Sequence, residues 1–225
     1  MLSVAFLGLA FVTSHFILSM AEIREPLVKR LGESGFLGLY SVVAAVLIVL
    51  LVIAYSEADR HAYVWYPDPL HYQIAMAVMW VAVVFVIGSF MAPNPSSVGM
   101  GEKAKEGPRG MLRVTRHPLL LGFGLWALAH VLANGDVVSV AFFLTFAVLA
   151  FVGAWVLDRK KAYQLGEDWH NYTSQTSLIP FGAILSGRTQ LVVGELMAPV
   201  VAGTALYIAI FWGHEWLSGV EILLP

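Results

Sequence analysis

Long apolar runs separated by short polar segments dominate this chain. Five stretches of roughly bilayer-spanning length contain no Asp, Glu, Lys or Arg: residues 2–20, 36–55, 71–91, 117–133 and 137–156. A sixth, 191–211, carries one acid, Glu195. A hydrocarbon core of about 30 Å takes about 20 apolar residues in a helix, and lipid leaves backbone polar groups to be satisfied within the segment. The pattern predicts an all-α fold: a polytopic integral membrane helical bundle of about six transmembrane helices. The run from Met1 has no basic residue ahead of it and is read as a retained span rather than a cleaved leader.

The polar segments sort their basic residues. Arg24, Lys29 and Arg30 follow the first span; Lys103, Lys105, Arg109, Arg113 and Arg116 follow the third; Arg159, Lys160, Lys161 and Arg188 follow the fifth. Of the 13 Lys and Arg residues, only Arg60 falls on the opposite side. The positive-inside rule puts the basic loops in the cytoplasm and both termini in the periplasm, a multi-pass arrangement in a bacterial inner membrane. Tyr63, Trp65 and Tyr66 in the outer segment 57–69 suit an interfacial belt. Segment 22–34 mixes apolar and charged positions at helical spacing, as in an interfacial helix or a short polar turn. Between residues 92 and 110, Pro and Gly favour an extended loop. No internal repeat or separate soluble domain emerges, so residues 1–225 form one membrane domain.

Composition agrees. The chain is 59% hydrophobic and 12% charged, with a mean hydropathy of +0.76, where soluble domains carry about 25% charged residues. The net charge of −2 offers no field for nucleic acid, and the absence of cysteine removes thiolate catalysis, thiolate metal ligation and disulfides. The partner that composition implies is the lipid bilayer.

Among the polar residues in or at the spans, three histidines carry candidate chemistry. His15 lies inside the first span, His117 opens the fourth in Thr115-Arg116-His117-Pro118, and His130 sits near its far end. Two imidazoles from different helices can ligate a haem iron, or each can hydrogen-bond a neighbouring helix. His117 and His130 are separated by roughly 20 Å along one helix, so they cannot share an iron; His15 pairs with one or the other, and depth in the membrane favours His117. Segment 158–172 interleaves charges and aromatics like a short interfacial helix, able to hold an anion or simply to answer the positive-inside rule. Glu195 is an acid within a span, near Pro199, whose kink would expose a carbonyl to it. His61, His71, His170 and His214 fall in loops or at the interface and have no assigned role.

At these residues the chain resembles the NnrU proteins, which share a domain with 15-cis-zeta-carotene isomerases. The matching pieces are Ser14-His15, Leu31-Gly32, Gly38-Leu39-Tyr40-Ser41, Val114-Thr115-Arg116-His117-Pro118-Leu119-Leu120, Gly122, Leu125-Trp126-Ala127-Leu128-Ala129-His130, Asn134-Gly135-Asp136 and Leu165-Gly166-Glu167-Asp168-Trp169. They span about residues 1–182. The resemblance implies haem b held between two membrane histidines, with ligand exchange on reduction exposing the iron to a cis double bond. Its ligands fall on His15 and His130, against the depth argument, while its further motif histidine falls on His117, giving His117 and Arg116 as catalytic candidates. NnrU proteins are associated with nitrogen-oxide reduction in denitrifying bacteria, and a thiolate role in ligand switching has no counterpart in this cysteine-free chain. The resemblance alone implies a further partner, either a lipophilic small-molecule substrate or a respiratory partner protein.

A more distant resemblance is to membrane isoprenylcysteine and phospholipid methyltransferases, through Arg116-His117-Pro118 and, loosely, Gly166-Glu167, Trp169, Tyr172 and Pro180. It implies S-adenosylmethionine bound at the cytoplasmic face, acting on a lipid or isoprenoid. The chain departs from that pattern at Leu119-Leu120, where an aromatic is usual, and at Asp158-Arg159, where a Glu-Glu pair is usual. Three classes follow: a haem-dependent isomerase or redox protein, a methyltransferase, and a non-enzymatic assembly or regulatory factor.

Overall fold

The architecture comes from a computed structural model that describes residues 1–97, 99–220 and 222; residue 98 of the 92–110 loop, and residues 221 and 223–225 of the predicted single domain, lie outside the described residues. The helices are α1 (Leu2–Ser19), α2 (Ala21–Ser56), α3 (Pro69–Phe90), α4 (Met111–Val114), α5 (Pro118–Asn134), α6 (Val137–Leu165), α7 (Glu167–Ser174), α8 (Gly182–Leu185) and α9 (Val193–Ser218), with a 3-10 turn at Gly101–Glu106. Five of them, α1, α2, α3, α6 and α9, are long and apolar enough to cross a membrane. The 17 residues of α5 form a shorter apolar helix of about 26 Å at 1.5 Å per residue. The chain is an all-α membrane helical bundle.

Packing orders the long helices as α9–α3–α5–α6–α1–α2, each touching the next. The apolar side chains divide accordingly. Val4, Leu51, Val138, Phe142 and Phe143 form a core among α1, α2 and α6, while Val84, Phe85, Met111 and Val114 form another around α3 and α4. Leu2, Phe6, Leu9, Val42, Trp212 and Trp216 stay well exposed. In water such a surface would aggregate; in a bilayer it is the lipid-facing side.

The boundaries differ from the sequence pattern where polar residues continue a helix. Segment 21–31 is helical and runs into the second span through a bend at Gly32, whose φ of 72° and ψ of 167° favour glycine. Arg24 reaches across the bend to pair with Glu33 and lies over the Phe36 ring. The fifth span does not stop at Val156: α6 runs to Leu165, so residues 158–165 belong to it, and the separate short helix begins only after Gly166. The last helix runs past the predicted boundary at residue 211 and ends at Ser218. Four further histidines take definite places. His71 is in the first turn of α3, whose start Asp68 caps by accepting from the His71 amide, and His170 is in α7. His61 sits beside Asp59. His214, expected in a loop or at the interface, lies inside α9.

Two opposite ends are built differently. At one, the turn between α5 and α6 is stitched to the preceding loop: Val64 N donates to Gly135 O at 2.9 Å and Val137 N to Ala62 O at 2.9 Å. The Trp65 indole donates to Leu132 O at 3.1 Å and so anchors the turn, whereas Tyr66 is 77% exposed. Gly135 holds φ 69° against Trp65, and Asp136 caps α6 through Ser139 N. At the other end the basic loops converge, with Lys105 within 3.4 Å of Asp168 and Lys160 close to Arg24 and Glu33.

The tightest crossing in the row is α3 on α5. A Cβ on Gly122 would lie 2.7 Å from Val86 Cγ2 and 2.8 Å from Ala82 O, so the missing side chain permits the approach. Gly122→Val should lower stability in mild detergent by about 1–3 kcal/mol, read as a drop in thermal unfolding midpoint. Gly153→Val, with nothing within 4 Å of that position, should move the midpoint little.

Candidate functional site

The predicted residues fall in two places. His15 and His130 lie within the bundle, and Arg116 and His117 lie at the basic end.

In α1 the His15 Nδ1 donates to Phe11 O at 2.8 Å, one turn back. In α5 the His130 Nδ1 donates to Trp126 O at 2.8 Å, with the same spacing. A carbonyl only accepts, so Nδ1 carries the proton and Nε2 keeps its lone pair. Neither Nε2 has a hydrogen-bond partner among the described residues. Such pinning is how ligating histidines are usually oriented. The chemistry of both side chains therefore fits a metal or haem iron.

The structure does not bring these two imidazoles together. His15 packs on Phe11 (4.3 Å between centroids) and Tyr40 (5.3 Å). His130 packs on Trp126 (5.0 Å) and Phe143 (4.7 Å). Phe146 of α6 bridges the gap, 6.0 Å from Phe11 and 5.6 Å from Trp126. A chain of ring contacts, Phe11 to Phe146 to Trp126, links the two histidines by way of α6, which packs against both α1 and α5.

His117 is a different kind of histidine. It is the residue before Pro118, the first residue of α5, and is 3% exposed. Its Nε2 donates to Asp158 Oδ1 at 2.7 Å, and its Nδ1 accepts from Ser96 Oγ at 3.0 Å. Both nitrogens are engaged, which leaves none for a metal. The other Asp158 oxygen faces Arg116 Nε at 3.0 Å as an ion pair, though without hydrogen-bond alignment. Arg116 Nη1 donates to Thr176 Oγ1 at 3.3 Å. Trp169 and Tyr172 of α7 cover the group, and the Tyr172 hydroxyl is buried with no partner among the described residues. Burial pulls the Arg116 guanidinium below its usual range, countered by Asp158, and pushes the Tyr172 phenol above its own.

The backbone around this cluster is held just as closely. Arg116 N donates to Ser177 O and Phe181 N to Val114 O, and Thr115 Oγ1 donates to Leu178 O at 3.0 Å. A mostly apolar cavity of about 240 Å³ lies alongside, lined by Thr115, His117, Leu121, Phe151, Leu178 and Pro180 among others. The polar cluster forms one wall of a pocket suited to an apolar molecule.

The sequence pattern does not single out Ser96, and it names Asp158 and Tyr172 only within segment 158–172 and the methyltransferase resemblance, without a partner in His117 or Arg116. The available signal was that Asp158 is the first acid after the fifth span, on the same side as Arg116-His117. Glu195 has a plainer role: it accepts from Arg113 Nε at 2.8 Å and Gly110 N at 2.6 Å, so its partners come from the loop before α5 and not from a carbonyl freed at Pro199. No group of three or more His, Asp or Glu able to hold a metal occurs among the described residues.

Asp158→Ala should destabilise the protein by about 3–5 kcal/mol, because it strands the Arg116 charge and a histidine donor in a buried site. A double-mutant cycle with Arg116→Met in detergent unfolding checks this, and the double variant should recover part of the loss.

The NnrU protein family profile matches residues 4–222. The chain is 30% identical over 234 residues to the chloroplastic 15-cis-zeta-carotene isomerase of Arabidopsis thaliana, covering 98% of this chain and 62% of that protein. To the isomerase of the same name from Zea mays it is 27% identical over 220 residues, covering 92% of this chain and 58% of that one. It therefore spans about three-fifths of the length of these curated relatives. No solved structure matches. This chain belongs to the NnrU protein family and is homologous to the 15-cis-zeta-carotene isomerase domain.

Proposed function

We propose that this protein binds haem b through His15 and His130 and isomerises cis double bonds in a lipophilic polyene. The observation that carries the proposal is the pair of membrane imidazoles, each pinned through Nδ1 to its own helix with Nε2 unengaged. The match to proteins named as carotene isomerases over nearly the whole chain supports the substrate class. His15 and His130 would hold haem b, which would supply a redox-active iron to the site.

The chain's own residues do the rest. The Phe11 and Trp126 carbonyls fix the tautomer and orientation of the two imidazoles. The two imidazoles would hold the group with Phe11, Phe146 and Trp126 packed as rings around and between their helices. The cavity beside His117 offers an apolar molecule a place at the basic end. There His117 and Arg116, locked by Asp158, hold a proton donor and a positive charge in a water-poor site.

Both termini are proposed to face the periplasm of a bacterial inner membrane, from the sorting of basic residues. Alkaline phosphatase fused after Gly135 should be active, and the same reporter fused near Gly101 inactive. The reverse result overturns this orientation.

Protein purified from haem-replete cells should show a Soret band and the split visible bands of six-coordinate low-spin haem on reduction. His130→Ala should lose the low-spin spectrum, whereas His117→Ala should keep it, since both His117 nitrogens are already bonded. A preparation with no Soret band and no uptake of added haemin sinks the cofactor. Saturable binding of S-adenosylmethionine that survives His15→Ala would instead favour the methyltransferase reading, which the meeting of Arg116-His117 with α7 at one site supports.

A further inference from the structure

His214 is the one histidine whose ring approaches another. It lies in the last turns of α9, and its centroid is 6.4 Å from that of His130, with 27° between the planes. Van der Waals stacking brings His130 much closer to its other neighbour, Phe143, at 4.7 Å. The centroid separation is the one two imidazoles on opposite sides of one metal would have, roughly 6.3 Å at about 2.0–2.1 Å per bond.

The hydrogen bonds agree with that spacing. His214 Nδ1 donates to Val220 O at 2.9 Å, with Ser218 Oγ at 3.2 Å. The chain returns over the imidazole because Gly219 ends α9 in the left-handed conformation, φ 71°. As at His130, Nδ1 is held and Nε2 has no partner among the described residues. Two rings with the same nitrogen engaged and the same nitrogen unengaged therefore stand 6.4 Å apart between centroids. His15 has the same pinning, but its ring contacts are Phe11 and Tyr40.

We propose that His214 is an axial ligand for the iron held by His130, competing with His15 for the opposite position. The inference rests on the haem reading above and adds a residue to it. Imidazole–iron bonds form without loss of a proton, because both Nε2 atoms are unprotonated in this tautomer, so the exchange of one imidazole for another is balanced as it stands.

The test uses the full chain in detergent and reads spin state by optical and electron paramagnetic resonance spectra. His15→Ala should remain six-coordinate and low-spin, and His15→Ala/His214→Ala should become high-spin. Added imidazole should restore the low-spin form of the double variant, which shows that it is folded and has merely lost a ligand. Loss of the low-spin signal in His214→Ala alone would also support the inference, and would remove His15 from the resting ligand set. A high-spin His15→Ala protein, converted by added imidazole and identical to the double variant, overturns the inference while leaving haem binding intact. Wild-type protein with no haem overturns both.

Discussion

The carboxylate of Asp158 holds the basic end of the molecule together. One oxygen takes the His117 proton and the other faces Arg116, so α6 is tied to the residues immediately before α5. Those residues in turn hold the chain beyond α7 through Arg116 N, Thr115 Oγ1 and the Val114 carbonyl. Buried ions are costly unless each finds a counter-charge and donors. The carboxylate, serving two partners, satisfies an imidazole and a guanidinium at once. Remove it and three segments lose their common anchor.

The middle of the bundle follows another constraint. Lipid gives apolar helices little reason to associate, so close packing and rare polar contacts must do so. Gly122 lets α3 approach α5, while Phe142, Phe143 and Phe146 let α6 fill the space between α1 and α5 with rings. Phe146 also joins the ring contacts that run from Phe11 beside His15 to Trp126 beside His130. Helix packing and the surroundings of both candidate ligands thus draw on the same rings, while His214 comes to His130 from the far end of α9.

The candidate site was legible in parts. His15 and His130 stand out as polar residues in apolar runs, and family resemblance selects them over other pairings. Depth along the membrane favoured His117 as the partner of His15, yet His117 has both nitrogens committed to Asp158 and Ser96. Depth measures position along the membrane normal and says nothing of what a ring nitrogen meets sideways. His214 was passed over for the same reason. It sits just beyond the predicted span 191–211, so that boundary left it at the interface, although the helix continues to Ser218.

The sequence by itself determined that this is a helical membrane protein, because the length of an uncharged apolar run answers directly to bilayer thickness. It also determined where the basic loops lie, where α5 begins at Pro118 and where a tight turn must fall at Gly135, each a local property of a few consecutive residues. Only the tertiary structure decided that Asp158 belongs with His117, that Trp65 pins a turn, that Glu195 pairs with Arg113, and that His214 faces His130. These pairs join residues 41, 67, 82 and 84 positions apart. No periodicity along the chain records which faces of which helices meet, because that choice is made by side-chain packing between elements.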